Sequence, residues 1–441
     1  MSVKTFSILF VIATALASFS QTPAAAYGAS NDSGEQMTVP SPVSSEQPSL
    51  SFSSEAAKTS YVRGGLTFGS AYDDNVLLGT GSPVSDVSYT IQPTISLVES
   101  MSRLNLTLLY APGFTFYQRT SSRNQANQNL AFDVKYRLSP HVTLNFKESF
   151  LRTSNYLNQF DQVPGIPGAL QLPNVSVISP FADQMNTTSA AQISYQFAPN
   201  AMVGATGTFS RLTYLNRSQA PGLFDSSAKA AEGFYTHRLS GKHYIGATYQ
   251  FQSLLTSPGE ASTQTNSVVL FYTMYLNSHF TLSVFAGPQH SITRGLTLVS
   301  SSTWSPEAGG SVNWQGSRTS FAVEVTKKIS QGGGLQGAVQ SQSASTSVRR
   351  QLTKTLSAFL SASYSSNTVL NGVLISGNNS NGHIISGNAS LRRQLGEHLA
   401  LEMNYTRLHQ RYANLPGLSN DPDRNRFAAS ISYEFQRSLG R

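Results

Sequence analysis

Residues Leu130–Leu138 read LAFDVKYRL, and apolar side chains alternate strictly with polar ones along this stretch. One face is aliphatic and aromatic, while the other carries Asp133, Lys135 and Arg137. A period of two predicts a β-strand with one apolar and one wet face. The same alternation returns in Phe427–Phe435, FAASISYEF, and in residues 87–97, VSYTIQPTISL. The fold class is therefore predicted to be all-β.

The alternating segments are long, at about 12–15 residues, whereas ordinary strands cluster near 5–6. A tilted strand needs about 9–11 residues to cross a bilayer. A soluble sheet with one wet face also alternates, but the segment lengths favour a transmembrane barrel. The repeat of roughly forty residues also occurs in propellers and solenoids. A propeller blade, however, needs four short strands rather than two long ones.

Short turns and longer connections alternate along the chain. The turns are predicted near 100–103, 139–141, 198–200, 240–242, 277–279, 316–318, 353–354 and 396–398. The longer connections are predicted near 72–85, 118–125, 155–184, 215–225, 256–264, 293–303, 330–337, 368–384 and 411–424. Eight turns and nine loops require eighteen antiparallel strands, with sixteen as the alternative count. This layout is typical of a closed outer-membrane β-barrel with short periplasmic turns and longer outer loops.

The N-terminal segments predict export from the cytoplasm. Residues 1–26 resemble a secretory signal peptide, with Lys4 ahead of the apolar run Phe6–Phe19 and small residues near position 26. Residues 27–57 are rich in Ser, Pro, Gln and Glu and predict a flexible periplasmic linker. The barrel is expected over 58–437, with a short tail at 438–441. The expected location is the outer membrane of a Gram-negative bacterium.

Composition excludes several classes of function. The chain has no cysteine, which excludes disulfides, thiolate metal sites and a cysteine nucleophile. Its 30 Lys and Arg against 22 Asp and Glu are scattered singly, which argues against nucleic-acid binding. No motif for a metal or a cofactor stands out, and no spacing rule brings the histidines together with aspartates. We therefore expect no enzyme activity, no cofactor and no metal.

Charged residues on the wet parity predict a water-filled lumen. The expected wall residues are Asp133, Lys135, Arg137, Lys147, Glu307, Glu324, Arg392, Glu402 and Glu434. Aromatic residues near the short turns predict an interfacial girdle; they are Tyr136, Phe146, Tyr195, Phe197, Tyr244, Tyr275, Phe280, Trp314, Phe359, Tyr433 and Phe435.

The longest connection, 155–184, holds four prolines and two aspartates. Such a length is uncommon unless the loop is functional or disordered. In classical porins the third loop folds into the pore. By that resemblance Asp161 or Asp183 would form a constriction facing Lys135, Arg137 or Lys147. The alternative is an external loop over the barrel mouth.

Two short segments resemble known outer-membrane proteins. The run Tyr72-Asp73-Asp74-Asn75 at the end of the first strand resembles the beta-barrel porin 2 family, barrels associated with exopolysaccharide production. The last strand, closing on Phe435, resembles the signal read by the barrel-assembly machinery. The resemblance implies an outer-membrane location and a role in pore formation or polysaccharide export. Asp73 and Asn75 could alternatively form only an Asx-type turn.

The leading functional hypothesis is a pore for diffusion or export of small hydrophilic solutes or polysaccharide. A plugged structural or adhesive scaffold is the alternative, followed by an enzyme at the barrel rim. The expected partners are outer-membrane lipid and lipopolysaccharide, the barrel-assembly machinery, and a glycan or small solute. Assembly into an oligomer is compatible with this reading.

Overall fold

The computed structural model describes residues 60–77, 82–153, 182–216, 222–257, 261–277, 279–295, 298–335, 337–370, 381–412 and 423–439. Nineteen strands account for nearly all of these residues. They are β1 Tyr61–Asp73, β2 Asp86–Ser100, β3 Leu104–Tyr110, β4 Gly113–Tyr117, β5 Gln125–Arg137, β6 Val142–Thr153, β7 Gln184–Ala198, β8 Ala201–Tyr214, β9 Asp225–Arg238, β10 His243–Ser257, β11 Ala261–Asn277, β12 Phe280–Gly295, β13 Leu298–Gln315, β14 Thr319–Gln331, β15 Ala338–Gln351, β16 Leu356–Val369, β17 Gly382–Gln394, β18 Leu399–Tyr412 and β19 Asp423–Ser438.

The strands form one closed antiparallel barrel. Each strand pairs with its neighbours in sequence, and β1 closes the ring by pairing with both β2 and β19. β3 and β4 share one position in the wall, since both lie between β2 and β5. Pro112 separates them because it has no N–H to donate to the ladder. The ring therefore has eighteen positions, as the sequence predicted.

All eight predicted turns connect consecutive strands at one end of the barrel, the short-turn end. The other end, the loop end, carries the longer connections. Two of these are shorter than predicted, because only 258–260 separate β10 from β11 and only 296–297 separate β12 from β13. The Ser- and Thr-rich segments there continue the ladder, so β11, β12 and β13 reach 17, 16 and 18 residues.

Cross-strand pairing divides the side chains into a lumen face and an outer face, since directly opposed residues point to the same side. The register carries this assignment around the whole ring. The outer face is apolar and exposed; Ile95, Leu270, Leu360 and Phe427 are 53, 63, 57 and 52% exposed. A closed barrel leaves no strand edge unpaired and can place such a surface in lipid. The chain therefore spans a membrane with its strands.

Most of the predicted girdle lies on the outer face near the short turns. Tyr195, Phe197, Tyr433 and Phe435 are about half exposed there. Tyr244, Tyr275 and Phe359 face the lumen instead, opposite Thr273, Thr281 and Arg349. The prediction failed for these three because it used height along the strand and not parity.

Within the described ranges, no helix is long and apolar enough to cross a bilayer.

Candidate functional site: the lumen and its inward hairpin

The predicted wall residues lie on the lumen face, and five of them form two charged groups toward the short-turn end. Lys147 Nζ is 3.7 Å from Asp133 Oδ2 on the neighbouring strand. Arg392 joins Glu402 at 3.6 Å and Glu434 at 2.9 Å, so one guanidinium bridges three adjacent strands. Glu324 faces the lumen from β14, opposite Ser311 and Ser345.

The described residues include only part of the predicted constriction. Asp161 lies outside the described residues. Asp183 lies at the loop end before β7, where its carbonyl accepts the Leu215 N–H at 2.7 Å. Lys135 and Arg137 are exposed near the short-turn end. The height of β5 separates these two residues from Asp183, and the constriction by loop 155–184 stays a prediction.

The strand-end motif is where the barrel closes. Asp73 faces the lumen and pairs with the fully buried Arg424, whose Nε lies 2.7 Å from Asp73 Oδ2 and whose Nη2 also contacts that oxygen. Asp74 points outward and accepts the N–H and the side-chain amide of Asn425, both at 2.7 Å. Tyr72 is on the outer face, 52% exposed.

Asn75 completes the same motif. Its N–H donates to Asp73 Oδ1 at 3.1 Å, which forms the Asx turn, and its amide donates to the Asp423 carbonyl at 3.0 Å. Together Asp73, Asp74 and Asn75 fix the first strand to the last at the loop end.

One side of the lumen is filled rather than open. Many lumen-facing side chains of β9 to β12, and Glu307 of β13, are almost completely buried; Thr236, Thr263 and Glu307 are 0, 1 and 1% exposed. In the same cross-strand row as Thr236, Phe271 and Phe285 lie opposite one another on β11 and β12, 3 and 7% exposed. Parity predicts which residues face inward but not what covers them, so the burial on this side could not be predicted from the sequence.

The wall formed by β15, β16 and β17 is different, since its serines are only partly buried. These residues are Ser343, Ser345, Ser347, Ser361, Ser363, Ser365, Ser386 and Ser390. Hydroxyl pairs link neighbouring strands, with Thr326 Oγ1 2.6 Å from Ser343 Oγ and Ser363 Oγ 2.6 Å from Ser386 Oγ. This polar wall extends along the barrel and is accessible to water.

At the loop end, the filling includes the end of the β14–β15 hairpin, which leaves the barrel wall. Pairing between β13 and β14 stops at Ala308 and Lys327. Beyond it, Lys328–Gln331 pair with β15 alone within the described ranges. The Ile329 N–H donates to the Gln289 side chain of β12 at 3.1 Å, and Ser210 of β8 donates to Gln331 Oε1 at 3.1 Å. The hairpin end therefore crosses the lumen.

The turn of this hairpin has the sequence GGGLQG at 332–337. Gly333, Gly334 and Gly337 have φ of 52, 106 and 91°, values that L-residues rarely adopt. At Gly334 a Cβ would also collide with the Tyr214 hydroxyl. Glycine is therefore required both for the turn and for its close approach to the wall.

Leu335 at the tip is completely buried in an apolar cluster that spans the lumen. Its partners include Leu212 and Tyr214 on β8 and Leu408 and Tyr412 on β18, on opposite sides of the ring. Burying a leucine side chain contributes about 1.5–3 kcal/mol. The tip thus bridges the loop end of the lumen by hydrophobic contact with both walls.

Ile329 shows that the hairpin has left its place in the sheet. Its parity on β14 is that of Phe321, Val323 and Val325, which belong to the outer face. Yet Ile329 is 2% exposed and packs against Ala228, Leu254 and Ala338. An isoleucine at a lipid-facing position is therefore buried in the lumen.

Two histidines make contacts between strands on the outer face near the loop end, although no spacing rule in the sequence paired them. His409 Nδ1 lies 2.7 Å from Asp423 Oδ1, and His290 Nε2 lies 2.8 Å from Ser302 Oγ. Each pair joins adjacent strands, so only the register could have revealed it. Among the residues the structure describes, no group of three or more metal-ligating side chains forms a metal site.

Comparison with known proteins gives similarity of architecture. No protein-family model and no curated protein sequence matches this chain. Among solved structures, OccK2 (OpdF) of Pseudomonas aeruginosa has a TM-score of 0.43 at 10% identity, over 85% of this chain and 98% of its own. OpdK of P. aeruginosa has a TM-score of 0.42 at 11% identity, over 85% and 99%. OccAB1 of Acinetobacter baumannii has a TM-score of 0.41 at 9% identity, over 89% and 99%.

These likenesses concern the barrel architecture alone. A closed barrel with short turns at one end, longer loops at the other and an apolar outer face belongs to the outer membrane of Gram-negative bacteria. The chain is an outer-membrane β-barrel of eighteen strands.

Proposed function

We propose that the chain is an outer-membrane channel for small hydrophilic solutes, closed at its loop end by the β14–β15 hairpin. The observation that carries this proposal is the burial of Ile329 at a lipid-facing position of β14. A permanent plug would not require a strand end that keeps the apolar–polar alternation of the barrel wall. The serine-lined wall of β15 to β17 supplies the polar path.

The open form follows from continuing the register. Extending the pairing past Ala308 and Lys327 would place Glu307 beside Lys328 on the lumen face. It would also place Pro306 beside Ile329, which returns to lipid. In the open form the hairpin end occupies the wall beside residues 298–307 of β13. In the described structure these residues have no β14 partner.

Conductance in a planar bilayer tests this proposal. The purified full chain is expected to show transitions between a closed level and an ion-conducting level, because the hairpin has two alternative positions. A scaffold with a permanent plug would pass no steady current. Complete absence of current across many insertions would therefore favour the scaffold.

Substitution of Leu335 by Asn is expected to favour the conducting level. An amide buried without a partner costs about 1–3 kcal/mol, and each 1.4 kcal/mol is about tenfold in an equilibrium. We expect the ratio of open to closed dwell times to rise about tenfold or more. Leu335→Met keeps the volume and apolar character and should behave as the unmodified chain. Equal dwell times for all three proteins would contradict closure by the tip.

Export of a polysaccharide through this channel would require displacement of the hairpin, because a glycan chain has to pass the position of Leu335.

We also propose contacts with lipopolysaccharide around the loop end. Support comes from outward-facing cations about ten residues above the short turns, such as Lys229, Lys327 and Arg407. Charge at this level meets lipid headgroups rather than hydrocarbon.

A further inference from the structure

The lumen beneath the bent hairpin holds two carboxylates on its filled side. Glu307 of β13 is 1% exposed and its Oε2 atom has no hydrogen-bond partner within the described structure. Glu232 of β9 faces the same space and lies within electrostatic range of Glu307. Burying like charges together is costly without compensation.

The surrounding groups are polar and aligned in one row across neighbouring strands. Glu232 lies opposite Gln250, Gln250 opposite Ser267, and Ser267 opposite Gln289. Ser267 donates to Glu307. On the hairpin side, Ser330 Oγ is buried and has no partner in the described residues. The row therefore presents carboxylate, amide and hydroxyl oxygens to the lumen, beside the unpartnered Glu307 Oε2 and Ser330 Oγ.

Lys328 is a cation whose charge acts on both Glu307 and Glu324. It is also the first residue of β14 beyond the last β13 pair. The ammonium group that offsets the buried carboxylates thus belongs to the segment that leaves the wall.

We propose that Glu232 and Glu307 form a binding site for the ammonium or guanidinium group of a cationic solute, in competition with Lys328. Carboxylates in a site of low dielectric bind such groups through charge-assisted hydrogen bonds. Gln250, Ser267 and Gln289 supply further acceptors. A bound cation replaces Lys328 as the charge that offsets Glu307. This inference rests on the proposed channel and names its solute class.

Spermidine binding to the detergent-solubilised full chain, measured by calorimetry, tests the site without any need for conduction. The Glu232→Gln, Glu307→Gln double variant is expected to weaken binding tenfold or more, and Lys328→Gln to strengthen it severalfold. Glu148→Gln, a carboxylate on the outer face opposite Phe132, is the matched control and should leave binding unchanged. Heat-modifiable migration in gels verifies that each variant forms the barrel.

Bilayer recordings then separate this inference from the proposed function. With a working channel, spermidine should act at tenfold lower concentration on the unmodified chain than on the double variant, while sucrose should not distinguish the two. Equal spermidine affinity of both proteins in calorimetry would overturn the site, whatever the conductance. If the double variant loses spermidine binding but the unmodified chain never conducts, the site is upheld and the channel is overturned.

Discussion

A reversible cross-link between positions 210 and 331 is expected to abolish the ion current, and cleavage of the link to restore it. Ser210 and Gln331 are 3.1 Å apart at their side-chain oxygens, on β8 and on the bent end of β14. The chain has no cysteine, so Ser210→Cys with Gln331→Cys creates a unique pair of thiols. A short bis-methanethiosulfonate reagent supplies the length lost when glutamine is replaced, and dithiothreitol cleaves it.

The physical reason for this result is that the link holds the hairpin inside the lumen. Unlinked channels are expected to alternate between closed and conducting levels, and linked ones to stay closed. Thr90→Cys with Thr115→Cys is the matched control, because these hydroxyls lie 3.3 Å apart within one wall between β2 and β4. That link should leave the current unchanged. Full conduction through the linked 210–331 protein would show that the solute path avoids the hairpin.

The barrel could be predicted because lipid and water impose opposite demands on alternate side chains of every strand. Leu130, Phe132 and Val134 show this demand directly, and Asp133 and Lys135 show its complement. The closure of the ring also follows, since an open edge is not tolerated in lipid. Strand number, turn positions and the lumen parity of the charged residues were therefore accessible from the sequence.

The hairpin could not be predicted, because alternation in β14 is compatible with a straight strand. Whether Ile329 faces lipid or lumen depends on where the ladder with β13 ends, which is a matter of competing contacts. Signals were nevertheless present in the chain. Three consecutive glycines precede Leu335, an apolar residue in a predicted outer loop, and Pro306 lacks the N–H that would pair with β14.

The ion pair at the barrel closure was also beyond sequence reasoning, although Asp73 was singled out. Topology predicts that the first strand meets the last, but only the register places Arg424 on the lumen face within reach of Asp73. A separation of 351 residues offers no local pattern to read.

Replacing Arg424 by Ala is expected to produce the largest loss of stability of any single substitution considered. Removing one partner of a buried ion pair costs about 3–5 kcal/mol, because the remaining charge stays buried without compensation. Arg424 is 0% exposed, and its loss leaves the Asp73 carboxylate at the seam between β1 and β19. The temperature at which the folded band converts to the unfolded band in a heat-modifiability gel should fall markedly.

Arg407→Ala provides the comparison at the same end of the barrel. Arg407 lies 3.8 Å from Asp423 on the outer face, with side chains 61 and 52% exposed, and such a pair contributes about 0–1 kcal/mol. Its conversion temperature should therefore stay near that of the unmodified chain. The double variant Asp73→Ala, Arg424→Ala should recover part of the loss, since no unpaired charge remains buried. A loss as large for Arg407→Ala as for Arg424→Ala would mean that the loop end is sensitive to any lost cation, and that burial of the Asp73–Arg424 pair does not hold the ring closed.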